Sequence, residues 1–484
     1  MPLEAIQKIY FDSHHYYSIM TDFDLVIRNG RLVTAKDNFL ADIGISAGII
    51  TAIGQNLSGK NIIDATDRLV LPGAVDPHVH LEMPAGTITS SDDWESGSIA
   101  AAFGGNTTIL DFVEPEGDQS LLQALASRRN QAQGHTAIDY GLHMTIARSD
   151  QKILEQIQGV VAAGVPSFKV YTTYDGFQLE DHQLLDAMLA VKAAGGLMMV
   201  HAENNAIIKH QQRKILTAGN ISPHFHPLSR PDIAEAEAIH RVLALGEITG
   251  VHLYIVHISS ARGIDEVARA RARGQEVIGE TCPQYLLLTD TEYDRPGFEG
   301  AKFVCSPPLR KNGDQTALWE ALSQGEVKTI GTDHCPFFYY GQKDLGRDQF
   351  TKIPGGIPGI ETRLALMFTF GVETGRISLN QWVDQCCTSP AQSFGIYPQK
   401  GSLTIGADAD LVIFDPKKDV TITKSRLHEH VDYTPYEGLK LHGYPETTIL
   451  RGNVLVRNGV FIGQNGQGRF LAGTPVIDEL GKSD

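Results

Sequence analysis

Lys169 stands in the middle of SFKVYTTYDG (167–176), an apolar and β-branched run. Desolvating an ammonium is costly, so a lysine in such a place needs an explanation. One explanation is an edge strand, or a snorkelling stem that keeps the charge in water. The other is that burial depresses the pKa until a neutral amine persists. A neutral amine takes up CO2 and becomes a carbamate, an anion whose two oxygens can bridge two metal ions as a carboxylate would. The rest of the chain offers partners for that reading. His78-Val79-His80 has i, i+2 spacing, which on a strand puts both imidazoles on one side. Two neutral imidazoles there can bind one divalent ion, or can simply be hydrogen-bonded histidines on a rim. His201 and His257 each read singly as core or rim histidines, and Asp333 in GTDHCPF reads singly as a loop-turn aspartate. Taken together, four histidines and one aspartate fill the positions that a carbamate-bridged ion pair leaves open.

These residues are scattered from 78 to 333, so the fold must gather them. The middle of the chain alternates apolar runs with longer helical patterns. The runs are LVLPGAVDPHVH, NTTILDFV, IDYGLHMTI, PSFKVYTTY, LMMVHAEN, LYIVHISS, EVIGETCPQYL and KTIGTDHCPF. Stretches such as SLLQALASRRNQAQ and DIAEAEAIHRVLALGEI lie between them. That alternation predicts an α/β architecture, a (β/α)8 TIM-like barrel. The candidate ligands fall at or near the C-terminal ends of their runs, the catalytic face of such barrels. Short alternating segments from Asp22 to about Pro72, and again in GSLTIGADADLVIFDP and TTILRGNVLVRNGVFIG, predict a β-sandwich built from both chain ends. The expected division is an N-terminal extension over 1–21, a first sandwich segment over 22–72 and the barrel over 73–398. A second sandwich segment follows over 399–460, then a tail over 461–484 as a possible oligomer contact.

Composition narrows the function classes. The 484 residues are 42% hydrophobic and 20% charged, with a formal net charge of −16. An acidic surface argues against nucleic acid or an anionic membrane as partner. No apolar run approaches the roughly 20 residues of a membrane span. The cysteines, at 282, 305, 335, 386 and 387, are odd in number and lack CxxC spacing. With no apolar signal-type segment near the start, free thiols in a reducing, cytoplasmic setting are expected.

DPHVH, SFKVYTTYDG, VHAEN, VHISS, GETCPQYL, CSPPLR and GTDHCPF, in this order and spacing, resemble the hydantoinase/dihydropyrimidinase branch of the cyclic amidohydrolases. The resemblance spans about residues 22–475. It implies that His78, His80 and Asp333 hold one metal, that His201 and His257 hold the other, and that carbamylated Lys169 bridges them. Zinc is the expected metal for both positions. Tyr174 matches the family's tyrosine that hydrogen-bonds the developing oxyanion; read alone, it is an aromatic packing over the barrel mouth. Ser306 matches a substrate-contacting serine; read alone, it is a turn residue before two prolines. Gly355 departs from the family's frequent asparagine in KIPGGIPGIETR, and a glycine keeps the backbone groups while loosening the loop.

The resemblance further implies hydrolysis of a cyclic amide in a small ureide substrate to give an N-carbamoyl amino acid, and assembly as a homotetramer. Asp333 is the expected proton carrier. Ring recognition is expected from backbone near Ser306, Cys335 and Gly355. Discrimination at the ring substituent is expected from LEMPAGTITS (81–90) and TTYDGF (172–177), where Leu81, Met83 and Phe177 form an apolar wall or merely cover the core. The alternatives are an allantoinase- or dihydroorotase-like enzyme of the same architecture, and a non-enzymatic scaffold relative. A dihydroorotate carboxylate would want an arginine; Arg310 reads as belonging to the common SPPLR stretch.

Overall fold

A computed structural model describes residues 23–475; the expected N-terminal extension and the end of the tail lie outside the described residues. Strands β1 (Phe23–Val33), β2 (Asn38–Ser46), β3 (Ile49–Gly54), β4 (Gly59–Asp64) and β5 (Leu69–Pro72) come first. Next in the chain are β6 (Ala74–Val79), a small hairpin of β7 (Pro84–Ala85) and β8 (Ile88–Thr89), β9 (Asn106–Val113) and β10 (Asp139–Thr145). The central strands continue with β11 (Ser167–Tyr171), β12 (Leu197–His201), β13 (His252–Ile255), β14 (Val277–Thr281) and β15 (Thr329–Ile330). The last are β16 (Leu411–Thr421), β17 (Lys440–Leu450), β18 (Asn453–Arg457) and β19 (Val460–Phe461).

Eight of these strands form the parallel sheet β15-β14-β13-β12-β11-β10-β9-β6. It curls until Val79 bridges His334, and the His80 amide donates to the His334 carbonyl at 2.8 Å. Every residue of β6, β9, β10, β11 and β12 is buried. Continuous apolar burial is what a parallel sheet covered by helices requires. Helices Leu121–Ala132, Asp181–Ala193, Asp232–Thr249, Ala261–Ala272 and Asn312–Gln324 contribute to that cover. This is the expected (β/α)8 barrel.

Both ends of the chain build a separate unit, hydrogen-bonded into one nine-stranded sheet. Its seam is β5 against β16, with Leu411 opposite Pro72 and Phe414 opposite Leu69. Leu25, Ile27, Ile43, Ile45, Leu411, Ile413 and Ile449 form its own core. The run LVLPGAVDPHVH, read as one strand, therefore divides at Gly73, with LVLP in the terminal sheet and AVDPHV in the barrel. The chain turns there against Thr107: a Cβ on Gly73 would lie 2.0 Å from the Thr107 Oγ1. The described residues of the tail run back over this chain's own barrel. Arg469 and Leu471 hydrogen-bond to Tyr140, and the Gly473 amide donates to the Gly164 carbonyl.

Candidate metal centre

The barrel strands deliver the scattered residues to one end. His78 lies within β6 and His80 just past it. Lys169 is the third residue of β11, His201 ends β12, and His257 and Asp333 follow β13 and β15 by two and three residues. All six line one cavity of about 920 Å³, together with Tyr174, Ser306, Cys335 and Gly355. Tyr174, His257 and Asp333 have φ of 77°, 38° and 52°. Left-handed backbone at non-glycine residues is uncommon and concentrates where surrounding structure over-determines it. Here it turns three polar side chains inward.

His78, His80 and Asp333 each present a ligand atom within 4.8 Å of the other two. Both Nε2 atoms lie 3.2 Å from Asp333 Oδ1. The opposite ring nitrogen of His78, Nδ1, is 2.8 Å from Glu280 Oε1. A proton held on Nδ1 by that carboxylate leaves the Nε2 lone pair for an ion, and Nε2 is buried with no hydrogen-bond partner among the described residues. On the other side of the cavity His201 Nε2 faces Glu203 Oε2 at 2.8 Å, so Nδ1 carries the lone pair, 3.0 Å from His257 Nε2. His257 Nδ1 is also buried without a partner among the described residues. Burial holds the imidazoles of His78, His257 and His201 below their ordinary pKa, hence neutral, as metal ligands must be. An unpartnered Nε2 on His78 and a pair of facing ring nitrogens on His201 and His257, all inward and on neutral imidazoles, fit a pair of divalent ions.

Lys169 lies against two rings, Phe112, which packs on His78 and His80, and Tyr171, which packs on His201. It is 1% exposed, and among the described residues its Nζ makes no ion pair. It lies 4.9 Å from the Phe112 ring centroid and 5.2 Å from that of Tyr171. Burial pulls its pKa down to about 8, against the pull of Asp333, Glu280 and Glu114. The edge-strand reading fails, because β11 is paired on both sides.

Tyr174 reaches the cavity from the loop after β11. Burial pushes its hydroxyl up to about 12, so it remains a proton donor at neutral pH. The Arg230 guanidinium lies 5.3 Å from its ring centroid and pairs with Glu203. Burial would raise the Glu203 carboxyl, but Arg230 and His201 bring it down to about 2. Sequence reasoning missed Glu280, Glu203 and Arg230. Glu203 had a signal, two residues after His201 in VHAEN; Glu280 and Arg230 had none beyond residue type.

Two expectations on the surrounding loops are corrected or sharpened. Leu81 does not line the cavity: it is fully buried, and a Cβ on Gly97 would lie 2.4 Å from its Cδ2. It packs on the helix Trp94–Phe103, because the chain after β6 has turned inward by that point. Met83 and Phe177 do line the cavity. Arg310 is not a substrate clamp; its guanidinium donates to Ser259 Oγ, the Arg230 carbonyl and Glu235.

The amidohydrolase family model matches residues 69–455. Over 450 residues the chain is 46% identical to the D-hydantoinase of Geobacillus stearothermophilus, covering 92% of this chain and 96% of that one. Also over 450 residues, it is 42% identical to the D-hydantoinase of Ralstonia pickettii, covering 93% of this chain and 98% of that one. The crystal structure of dihydropyrimidinase from Brevibacillus agri superposes with a TM-score of 0.92 at 43% identity, covering 94% of this chain and 99% of that one. The chain belongs to the amidohydrolase family, in its hydantoinase/dihydropyrimidinase branch.

Proposed function

We propose that this protein adds water across the cyclic amide bond of dihydropyrimidines or 5-substituted hydantoins, releasing N-carbamoyl amino acids. The observation that carries the reading is the convergence, in one cavity, of six ligand-type side chains and a protonated tyrosine. His78, His80 and Asp333 would hold one divalent ion and His201 and His257 the other, and Lys169, as an N6-carboxylysine, would supply a shared carboxylate-like ligand. Once bound, the ions (zinc in our reading) supply Lewis acidity to a water and to the scissile carbonyl.

The chain's own residues do the remaining work. Glu280 and Glu203 fix the tautomers of His78 and His201, so the ligand lone pairs point inward. The carbamate forms as the neutral Lys169 amine attacks CO2 and releases one proton. Asp333 uses one oxygen toward the histidines, and its second oxygen takes the proton of the attacking water. That proton then goes to the ring nitrogen as the C–N bond breaks, so the hydroxyl ends on carbon and the hydrogen on nitrogen. Tyr174 donates its O–H to the oxyanion of the tetrahedral intermediate, a contact worth about 3 kcal/mol. Backbone groups beside Ser306, Cys335 and Gly355 grip the ring amides.

The buried free cysteines support a reducing, cytoplasmic setting. The family resemblance supports a homotetramer and the division at residues 72, 398 and 460. The test is ring opening by zinc-supplied protein on dihydrouracil, 5-phenylhydantoin and allantoin in parallel. Turnover of either of the first two is expected. Silence on both, with two metals per chain bound, contradicts the substrate class.

A further inference from the structure

Lys343 is a second buried lysine beside the cavity, and the mechanism above does not use it. It is 0% exposed, and among the described residues it makes no ion pair with a carboxylate. Burial pulls its pKa down to about 7. A methionine of similar length would fill the same space without desolvating an amine. What the amine has instead is two backbone acceptors: Nζ donates to the Val304 carbonyl at 2.9 Å and to the Pro354 carbonyl at 3.0 Å.

Those carbonyls belong to two different segments that face each other across the cavity wall. One leads directly to Ser306, the other to Gly355 and Gly356, and all three residues line the cavity. A Cβ on Gly355 would lie 3.4 Å from Ser306 Oγ. The Gly356 amide donates to the same Val304 carbonyl at 3.0 Å. Gly356 has φ of +149°, and a Cβ there would lie 2.3 Å from the Cys335 carbonyl. Three segments are thus pressed together by backbone contact, and one side chain ties two of them.

We propose that Lys343 is a positioning residue whose amine ties the Val304–Ser306 segment to the Pro354–Gly356 segment and so sets the spacing of the backbone groups that grip the substrate ring. The proposal rests on the ring-opening reading above. It predicts that the amine acts on binding of the ring amide common to all substrates, not on the ring substituent or on the metal centre.

The experiment compares wild type, K343M and K343Q, all zinc-supplied, for steady-state kinetics on dihydrouracil and 5-phenylhydantoin, metal content, and hydrogen exchange of peptides covering 304–309, 353–357 and 197–201. For K343M the expected result is KM raised about tenfold or more on both rings, with kcat within about threefold and metal content unchanged. K343Q, which keeps N–H donors on a shorter arm, is expected to recover some of the KM. Exchange is expected to quicken at 304–309 and 353–357 and to hold at 197–201. KM unchanged in K343M, kcat lost with KM unchanged, or metal lost would overturn the proposal. So would failure of both variants to fold, which would make the lysine structural. Should wild type open neither ring, the ring-opening reading falls by itself. Exchange then still tests the tie: unaltered rates at 304–309 and 353–357 in K343M overturn it.

Discussion

Lys169 and Lys400 are both buried lysines within reach of barrel strands, yet they sit at opposite ends and in opposite surroundings. Lys400 Nζ lies 2.6 Å from Asp139, 2.8 Å from Asp408 and 2.7 Å from Asp410. Burial works against its charge, but the three carboxylates raise its pKa above the ordinary lysine range. Asp139 opens β10, and Asp410 immediately precedes β16, so this ammonium ties the barrel's N-terminal face to the terminal sheet. Lys169 has two aromatic rings beside it and, among the described residues, no carboxylate paired with it, and burial lowers its pKa. One residue type thus serves cohesion at one end and, in the proposed function, chemistry at the other. The N-terminal face of a parallel barrel is where stability is built, and the C-terminal face is where loops and strand ends meet a substrate.

The sharpest way to break the comparison is to remove each lysine. K169A is expected to lower kcat by about 10³-fold or more and to reduce bound metal, since it removes both the bridging group and the reason the two ions sit together. Steady-state turnover and elemental analysis check this, and calorimetry is expected to show a fold as stable as wild type in the metal-free state. K400M is expected to destabilise the fold by about 3–5 kcal/mol, because three carboxylates are left facing one another in a buried place. Denaturant titration checks it.

The pH dependence of that deficit carries a definite sign. Burial already raises the Asp410 carboxyl in the intact protein, and Lys400 opposes the shift. Without Lys400 the folded state holds its protons more tightly than the unfolded chain. Stability of K400M relative to wild type should therefore recover as pH falls from 8 toward 5. In wild type the Lys400 pKa is raised, so its stabilisation is fully present below the unfolded lysine pKa. It is lost only as pH climbs through the higher folded value. A deficit in K400M that deepens on acidification would contradict this account of the cluster.

Tyr174→Phe gives the smallest of these effects. It removes one hydroxyl and is expected to cost about 10²-fold in kcat with stability within about 0.5 kcal/mol of wild type. Equal turnover in the variant would remove the oxyanion role and leave the ring as a lid over the cavity.

The candidate ligands could be picked out because each lies within or just after an apolar run, and a parallel barrel turns the ends of such runs toward one cavity. The barrel itself was legible from the alternation of runs and helices. Other features depend on closure in three dimensions. Glu280 is buried in a strand whose sequence reads as ordinary, and only closure brings it to His78, 202 positions away. Arg230 meets Glu203 and Tyr174 only once its segment packs on the barrel. Leu81 follows His80 directly and reads equally as cavity wall or core cover, and only the fold shows that the chain has by then turned into the core. The left-handed backbone at Tyr174, His257 and Asp333 leaves no trace in residue type, since none is a glycine. Lys343 and Lys400 are indistinguishable from solvated lysines in the sequence, because the acceptors that hold them come from other segments.

The most direct measurement is ring opening, metal content and denaturant stability for K169A and K400M side by side, well below either melting temperature. The account predicts K169A folded, metal-depleted and silent on dihydrouracil and 5-phenylhydantoin, and K400M less stable but turning over with near wild-type kcat. A K169A that keeps turnover, or a K400M that keeps stability and loses turnover, would contradict it.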